Sequence, residues 1–202
     1  SVMDYIGEYR EPFRWASDDL YHPDMKDYVE GNYSADNQLS DKDQNESRLW
    51  KYYEGIRKAS TFIQNVDRCS ELTMDEIADM KGQARFLRAY CYWALIRVYG
   101  PVPLIPLEGL DVNLSYEELS LPREHFDNLV DFIDQELAES ARSLPTKRTV
   151  NNLGRPTRGA ALGLRSRVLL YAASPLFNGN TDFFNVKDCY GCLLYTSDAA
   201  DE

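Results

Sequence analysis

The sequence predicts an all-α fold of antiparallel helix hairpins with an irregular N-terminal arm, and three observations carry the prediction. Apolar residues recur at three-and-four spacing in four separate stretches, the signature of helix faces. The first two stretches are separated only by a short loop near residues 67–72, which forces them to run antiparallel. The second stretch, inside Gly82–Pro106, is apolar around most of its circumference, which marks a helix packed between neighbours.

Residues 1–45 form the irregular arm, with scattered aromatics among polar residues. Asp41-x-Asp43-x-Asn45 opens like a calcium-binding loop, but Glu46 replaces the turn glycine and Tyr52 the bidentate Glu. It reads as a solvated loop. The first helix is expected over 46–66, with Leu49, Trp50, Tyr53, Ile56, Ala59, Ser60, Ile63 and Val66 on one side and an Asp43/Glu46 capping box. Thr73 and Glu76 form a second, clearer capping box that starts a helix running to Tyr99.

That second helix has one stripe at Ala84, Leu87, Cys91, Ala94, Leu95 and Val98 and another at Phe86, Tyr90, Trp93 and Ile96. Its aromatics read as helix–helix packing. Arg85, Arg88 and Arg97 are expected near one another, paired with acids of the first or third helix. The arginines also rule out a membrane span, which needs ~20 predominantly apolar residues. Gly100 suits the positive-φ position after the helix, and Pro101 and Pro103 cannot continue it.

A long connection, 101–121, begins extended because of its prolines. The third helix is expected from Pro122, with Phe126, Leu129, Val130, Ile133, Leu137, Ala141 and Leu144 inward. The loop 146–154, with Lys147, Arg148, Asn151 and Asn152, reads as a flexible linker, with an anion or sugar contact as the alternative. A fourth helix follows Thr157, with a small-residue face of Ala160, Ala161, Leu164, Val168, Leu169 and Ala172. Trp50, Tyr53 and the later alanines loosely match a tetratricopeptide pattern, so the hairpins read as stacked repeats.

The 202 residues allow one domain with a substantial core. A formal charge of −11 argues against a general nucleic-acid binder, which needs a basic face. The sequence opens without a basic region and an apolar stretch of the secretory kind. Cys91 reads as a buried small hydrophobe and Cys69 lies in a loop. Cys189-x-x-Cys192 is a weak redox or half-zinc pattern. From Cys192 to Glu202 the sequence resembles the translation of a transposon adapter used in sequencing libraries. These residues are therefore expected not to belong to the natural protein, and 180–191 to begin the remainder of a longer one.

No nucleophile elbow, Walker loop or dinucleotide fingerprint is present in the sequence. No pair of carboxylates stands out as a glycosidase pair. His22 and His125 lack metal-ligand spacing. The sequence thus predicts no enzyme, no cofactor and no metal.

Several segments resemble the SusD/RagB family of surface glycan-binding lipoproteins. The resemblance is carried by Arg85-Phe-Leu-Arg-Ala-Tyr90 through Trp93, by Arg97-Val-Tyr-Gly-Pro-Val-Pro-Leu104, and by Trp50-Lys-Tyr-Tyr53 through Ala59. Phe132 through Pro145, Pro156 through Ala161, Arg167 through Ala173 and Ser174-Pro-Leu-Phe-Asn-Gly179 add to it. One departure is Ser60, where the family usually has Asn. The resemblance covers about 46–179 and implies a SusD-like α-α superhelix of tetratricopeptide-like repeats. It also implies an outer-membrane, surface-exposed lipoprotein, held by a lipid anchor outside this fragment. Such a protein binds a polysaccharide or oligosaccharide and passes it to a SusC-like TonB-dependent transporter. The alternative is a tetratricopeptide-like scaffold that binds a protein and no glycan. For sugar contacts the candidates are Trp15, Tyr21 and Tyr33, whose flat rings can stack on pyranose C–H faces, with Asn37 to hydrogen-bond hydroxyls. For Trp15 the competing reading is an anchor that holds the arm on the repeats.

Overall fold

The computed structural model describes residues 48–110, 113 and 115–177. The chain divides into two compact units, Ser1–Lys51 and Tyr52–Glu202, and all of the described residues except 48–51 belong to the second. The elements are α1 (Arg48–Asn65), a 3₁₀ turn (Val66–Arg68), α2 (Met74–Tyr99), α3 (Tyr116–Leu119), α4 (Phe126–Ser143) and α5 (Arg158–Ala172). A second 3₁₀ turn, Val150–Asn152, lies between α4 and α5. No strand occurs among the described residues. The fold class is therefore all-α, as the sequence predicts.

The long helices run antiparallel in chain order, and side-chain pairings show it. Tyr53 near the start of α1 meets Tyr92 late in α2, while Asp67 after α1 binds Lys81 early in α2. Along α2 and α4, Ser140 bonds Gly82, Glu136 pairs with Arg85, and Phe132 meets Tyr92. Along α4 and α5, Ala141 clusters with Ala161, Asp134 pairs with Arg165, and Phe126 stacks on Phe177 beyond α5. Helix α2 also reaches α5 directly, through Trp93 against Tyr171.

Local chemistry explains the boundaries. The Thr73 hydroxyl accepts from the Glu76 N–H at 3.3 Å, and the Glu76 carboxylate accepts from the Thr73 N–H at 2.9 Å. This capping box satisfies donors that a helix start leaves open, and it holds the Glu76 carboxyl below its ordinary range. At the other end Gly100 takes φ 65°, where a side chain would be strained. The Asp43/Glu46 box and the calcium-like stretch lie outside the described residues.

Two expectations are corrected. The third long helix starts at Phe126, not near Pro122. Residues 123 and 124 are engaged elsewhere: Arg123 donates to the Tyr99 and Pro101 carbonyls, and the Glu124 N–H donates to the Val102 carbonyl. The loop 146–154 is not a loose linker. Arg148 donates to both carboxylate oxygens of Asp79, at 2.6 and 2.8 Å, and to the Pro156 carbonyl. This bidentate, buried guanidinium ties the loop to α2.

Helices α2 and α4 approach closely at Gly82. A Cβ there would sit 3.0 Å from Ser143 Cβ and 3.2 Å from Leu144 Cγ. The Ser140 hydroxyl donates to the Gly82 carbonyl at 2.7 Å across the same contact. Gly82→Val should therefore overpack the interface and destabilise the protein by ~1–3 kcal/mol. Urea unfolding checks it, and an unchanged midpoint would show that the helices separate without cost.

Candidate functional site

The sequence-predicted sugar contacts Trp15, Tyr21, Tyr33 and Asn37 lie outside the described residues. The described residues do bring together a buried network behind the extended segment Pro101–Leu107. It begins with Arg88, which faces inward from α2 with its side chain only 4% exposed. One Arg88 nitrogen lies 3.7 Å from Glu136 of α4, and another donates to the Ile105 carbonyl at 3.1 Å. Its guanidinium also sits over the Phe132 ring, 4.8 Å from the centroid. Arg85, one turn earlier, donates to the other Glu136 oxygen.

Tyr92 completes the network. It is fully buried, edge-on to Phe132 at 5.2 Å and to Tyr53 at 6.5 Å. Its hydroxyl accepts from the Ile105 N–H at 2.9 Å. Tyr53 donates to the Pro103 carbonyl at 2.8 Å, and Gln64 to the Leu107 carbonyl at 2.8 Å. The prolines leave this segment short of N–H donors, so side chains of α1 and α2 hold its carbonyls instead. The result is a fixed ledge of extended chain that runs alongside α1 and α2.

The electrostatics suit a brace. Burial pushes the Tyr53 hydroxyl well above its ordinary range, and the Tyr92 hydroxyl up to about 12. Burial raises the Glu136 carboxyl too, against the pull of Arg85 and Arg88. The Cys91 thiol, buried in α2, is pushed up to about 12 and stays protonated. The Tyr53 and Tyr92 hydroxyls and the Cys91 thiol are therefore not poised to move a proton near neutral pH. Among the described residues no group of His, Cys, Asp and Glu is arranged to hold a metal ion. No helix among them is long and apolar enough to cross a membrane.

The arginine expectation is half met. Arg85 and Arg88 do share an acid of α4. Arg97 lies instead over the Trp93 ring, 5.2 Å from its centroid. Nine residues separate Arg88 from Arg97, and at 3.6 residues per turn that is two and a half turns, which places them on opposite sides of α2. The aromatics of α2 pack as expected at Trp93, whereas Tyr90 is only half-buried and stacks on Phe86. Tyr92, which lies in neither sequence stripe, is the buried tyrosine of the network.

Residues 15–170 match the SusD-like family described as "Starch-binding associating with outer membrane". A SusD-like protein, P25, of Formosa agariphila is 24% identical over 166 residues, 74% of this chain and 31% of that protein. A solved SusD-like protein of Bacteroides fragilis superposes with a TM-score of 0.63 and 26% identity, over 84% of this chain and 33% of that one. The surface glycan-binding protein A of Bacteroides uniformis superposes with a TM-score of 0.54 and 26% identity, over 61% of this chain and 27% of that one. The chain thus spans about a third of the length of the relatives it matches. With its helical hairpins shared by these proteins and a family match over most of its length, the chain belongs to the SusD-like family.

Proposed function

We propose that the whole protein is a non-catalytic glycan-binding subunit on the outer-membrane surface, which delivers polysaccharide or oligosaccharide to a SusC-like TonB-dependent transporter. The observation that carries this is the match of residues 15–170 to a family of outer-membrane-associated starch-binding proteins. The likeness to a surface glycan-binding protein at 26% identity supports it. In this reading the helices are the scaffold, since their aromatics are engaged in packing and their buried charges in bracing the ledge. Trp15, Tyr21, Tyr33 and Asn37 supply sugar contacts from the polar N-terminal arm, the rings stacking on the C–H face of a pyranose and the amide hydrogen-bonding its hydroxyls. A lipid anchor upstream holds the protein at the membrane.

Affinity electrophoresis of the protein expressed from its complete gene, against a panel of neutral polysaccharides, tests the reading. Retardation by at least one polysaccharide is expected, together with a co-purifying outer-membrane transporter. Trp15→Ala should weaken the retardation. No retardation by any glycan and no co-purifying transporter would sink the proposal. A co-purifying protein without glycan retardation would favour the scaffold alternative.

A further inference from the structure

The connection between α4 and α5 is a closed and ordered loop. At its neck the Arg158 N–H donates to the Pro145 carbonyl at 3.0 Å. Within it Arg148 donates to the Pro156 carbonyl and to Asp79 of α2. The 3₁₀ turn Val150–Asn152, and a bond from the Arg155 N–H to the Asn152 carbonyl at 3.2 Å, shape the rest. The middle of the loop is apolar and open, with Val150 83% and Leu153 72% exposed. Nearer the neck stand Lys147, Arg155 and Arg158, all exposed. Among the described residues Lys147 and Arg158 have no carboxylate partner, and the Arg155 side chain reaches the Gln83 amide oxygen at 3.5 Å. No Asp or Glu occurs in 140–177, in a chain whose net charge is −11.

We propose that this loop is a contact site for a phosphate-bearing lipid surface. Val150 and Leu153 enter the headgroup layer, and Lys147, Arg155 and Arg158 pair with the phosphates around them. The order of residues is the first argument. The apolar side chains lie farthest along the chain from the neck and the cations flank them, which matches a surface whose apolar layer lies beneath its phosphates. Rigidity is the second. The loop is already held by Asp79 and by its own backbone, so binding costs little further ordering. The third is where the free charge sits. Arg142, Arg148 and Arg165 are spent on Glu139, Asp79 and Asp134 within the fold. Of the other cations in 140–177, only Arg167 lies outside the loop. An acidic glycan would use the same cations but would find no ring to stack on at Val150 and Leu153. The inference rests on the outer-membrane location proposed above: an anchor fixes the protein's distance from the membrane, and this loop sets its orientation.

The test is co-sedimentation of the 202-residue chain with vesicles, in low-salt buffer and without glycan or transporter. One set of vesicles is phosphatidylcholine alone, and the other is equal parts phosphatidylcholine and phosphatidylglycerol. Binding to the mixed vesicles is expected, at least about tenfold tighter than to phosphatidylcholine alone. The net charge of −11 opposes adsorption to an anionic surface, so binding there requires a local site. The triple variant Lys147→Gln, Arg155→Gln, Arg158→Gln and the double variant Val150→Ser, Leu153→Ser should each lose about tenfold. Arg167→Gln, an exposed cation of α5 outside the loop, should bind as the parent does. Every altered side chain is exposed, so the helices should persist, which circular dichroism checks. No binding to the mixed vesicles, or equal binding by the loop variants, would overturn the proposal and leave the capture of neutral glycans untouched. Retention on an acidic polysaccharide that only the triple variant loses, without vesicle binding, would also overturn it, and would assign the cations to a glycan.

Discussion

Replacing Glu136 with Leu should destabilise the protein by ~3–5 kcal/mol, the cost of leaving a buried charge without its partner. The charge left behind is Arg88, whose side chain is 4% exposed and cannot turn to water. Arg85, about a third exposed, can. Adding Arg88→Met to Glu136→Leu should then recover most of the loss, because a buried pair replaced by apolar side chains of similar volume is often neutral. Burial raises the Glu136 carboxyl even with two guanidiniums beside it, so at this carboxyl desolvation outweighs the attraction. One cost should remain in the double variant. The Ile105 carbonyl loses the Arg88 donor, a penalty of about 1 kcal/mol. Urea unfolding of the single and double variants measures all three values. A double variant as unstable as Glu136→Leu alone would show that the ion pair, and not the orphaned charge, carries the energy.

The same residues show where sequence reading stops. The four long helices, the Thr73/Glu76 box and the Gly100 stop were legible because each rests on local rules: periodicity, reciprocal capping and a positive φ. The short helix α3 was legible in principle. Ser115 and Glu118 form a capping box of the same kind, but the helix is one turn long and has no periodicity to announce it. The pairing of Arg88 with an acid of a neighbouring helix was legible, but Tyr92 was not, because a hydroxylated residue breaks an apolar pattern although its side chain is fully buried. Which acid meets Arg88, Glu136, and which loop group meets Tyr92, Ile105, are tertiary facts. The start of α4 was misplaced likewise. Pro122 is a good first helical residue, yet the backbone after it is held by the ledge. On α5, spacing marked Leu169 as a core position, but which side of a leucine-rich helix is covered depends on neighbours the pattern does not name.

Tyr92→Ala should be the more costly substitution in α2, at ~3–5 kcal/mol for a fully buried aromatic. The ring bridges Tyr53 of α1 and Phe132 of α4, so its removal opens a cavity where three helices meet. Tyr92→Phe isolates the hydroxyl. It keeps the packing but leaves the Ile105 N–H without its acceptor, for a cost of ~1–3 kcal/mol. The two variants should also differ in where the damage appears. The alanine variant should lower the global unfolding midpoint. The phenylalanine variant should speed hydrogen exchange at Ile105, while amides of α4 stay protected, because only the ledge has lost a tie. Tyr53 and Gln64 still hold the ledge at Pro103 and Leu107, so its release is local. If Tyr92→Phe instead exposed α4 and the ledge together, the hydroxyl would be part of the core's cooperative unit, and the ledge would be as rigid as the helices that carry it. That distinction bears on function. A surface fixed to the core presents one shape to a partner, whereas one that loosens separately must be ordered on binding at a cost in affinity.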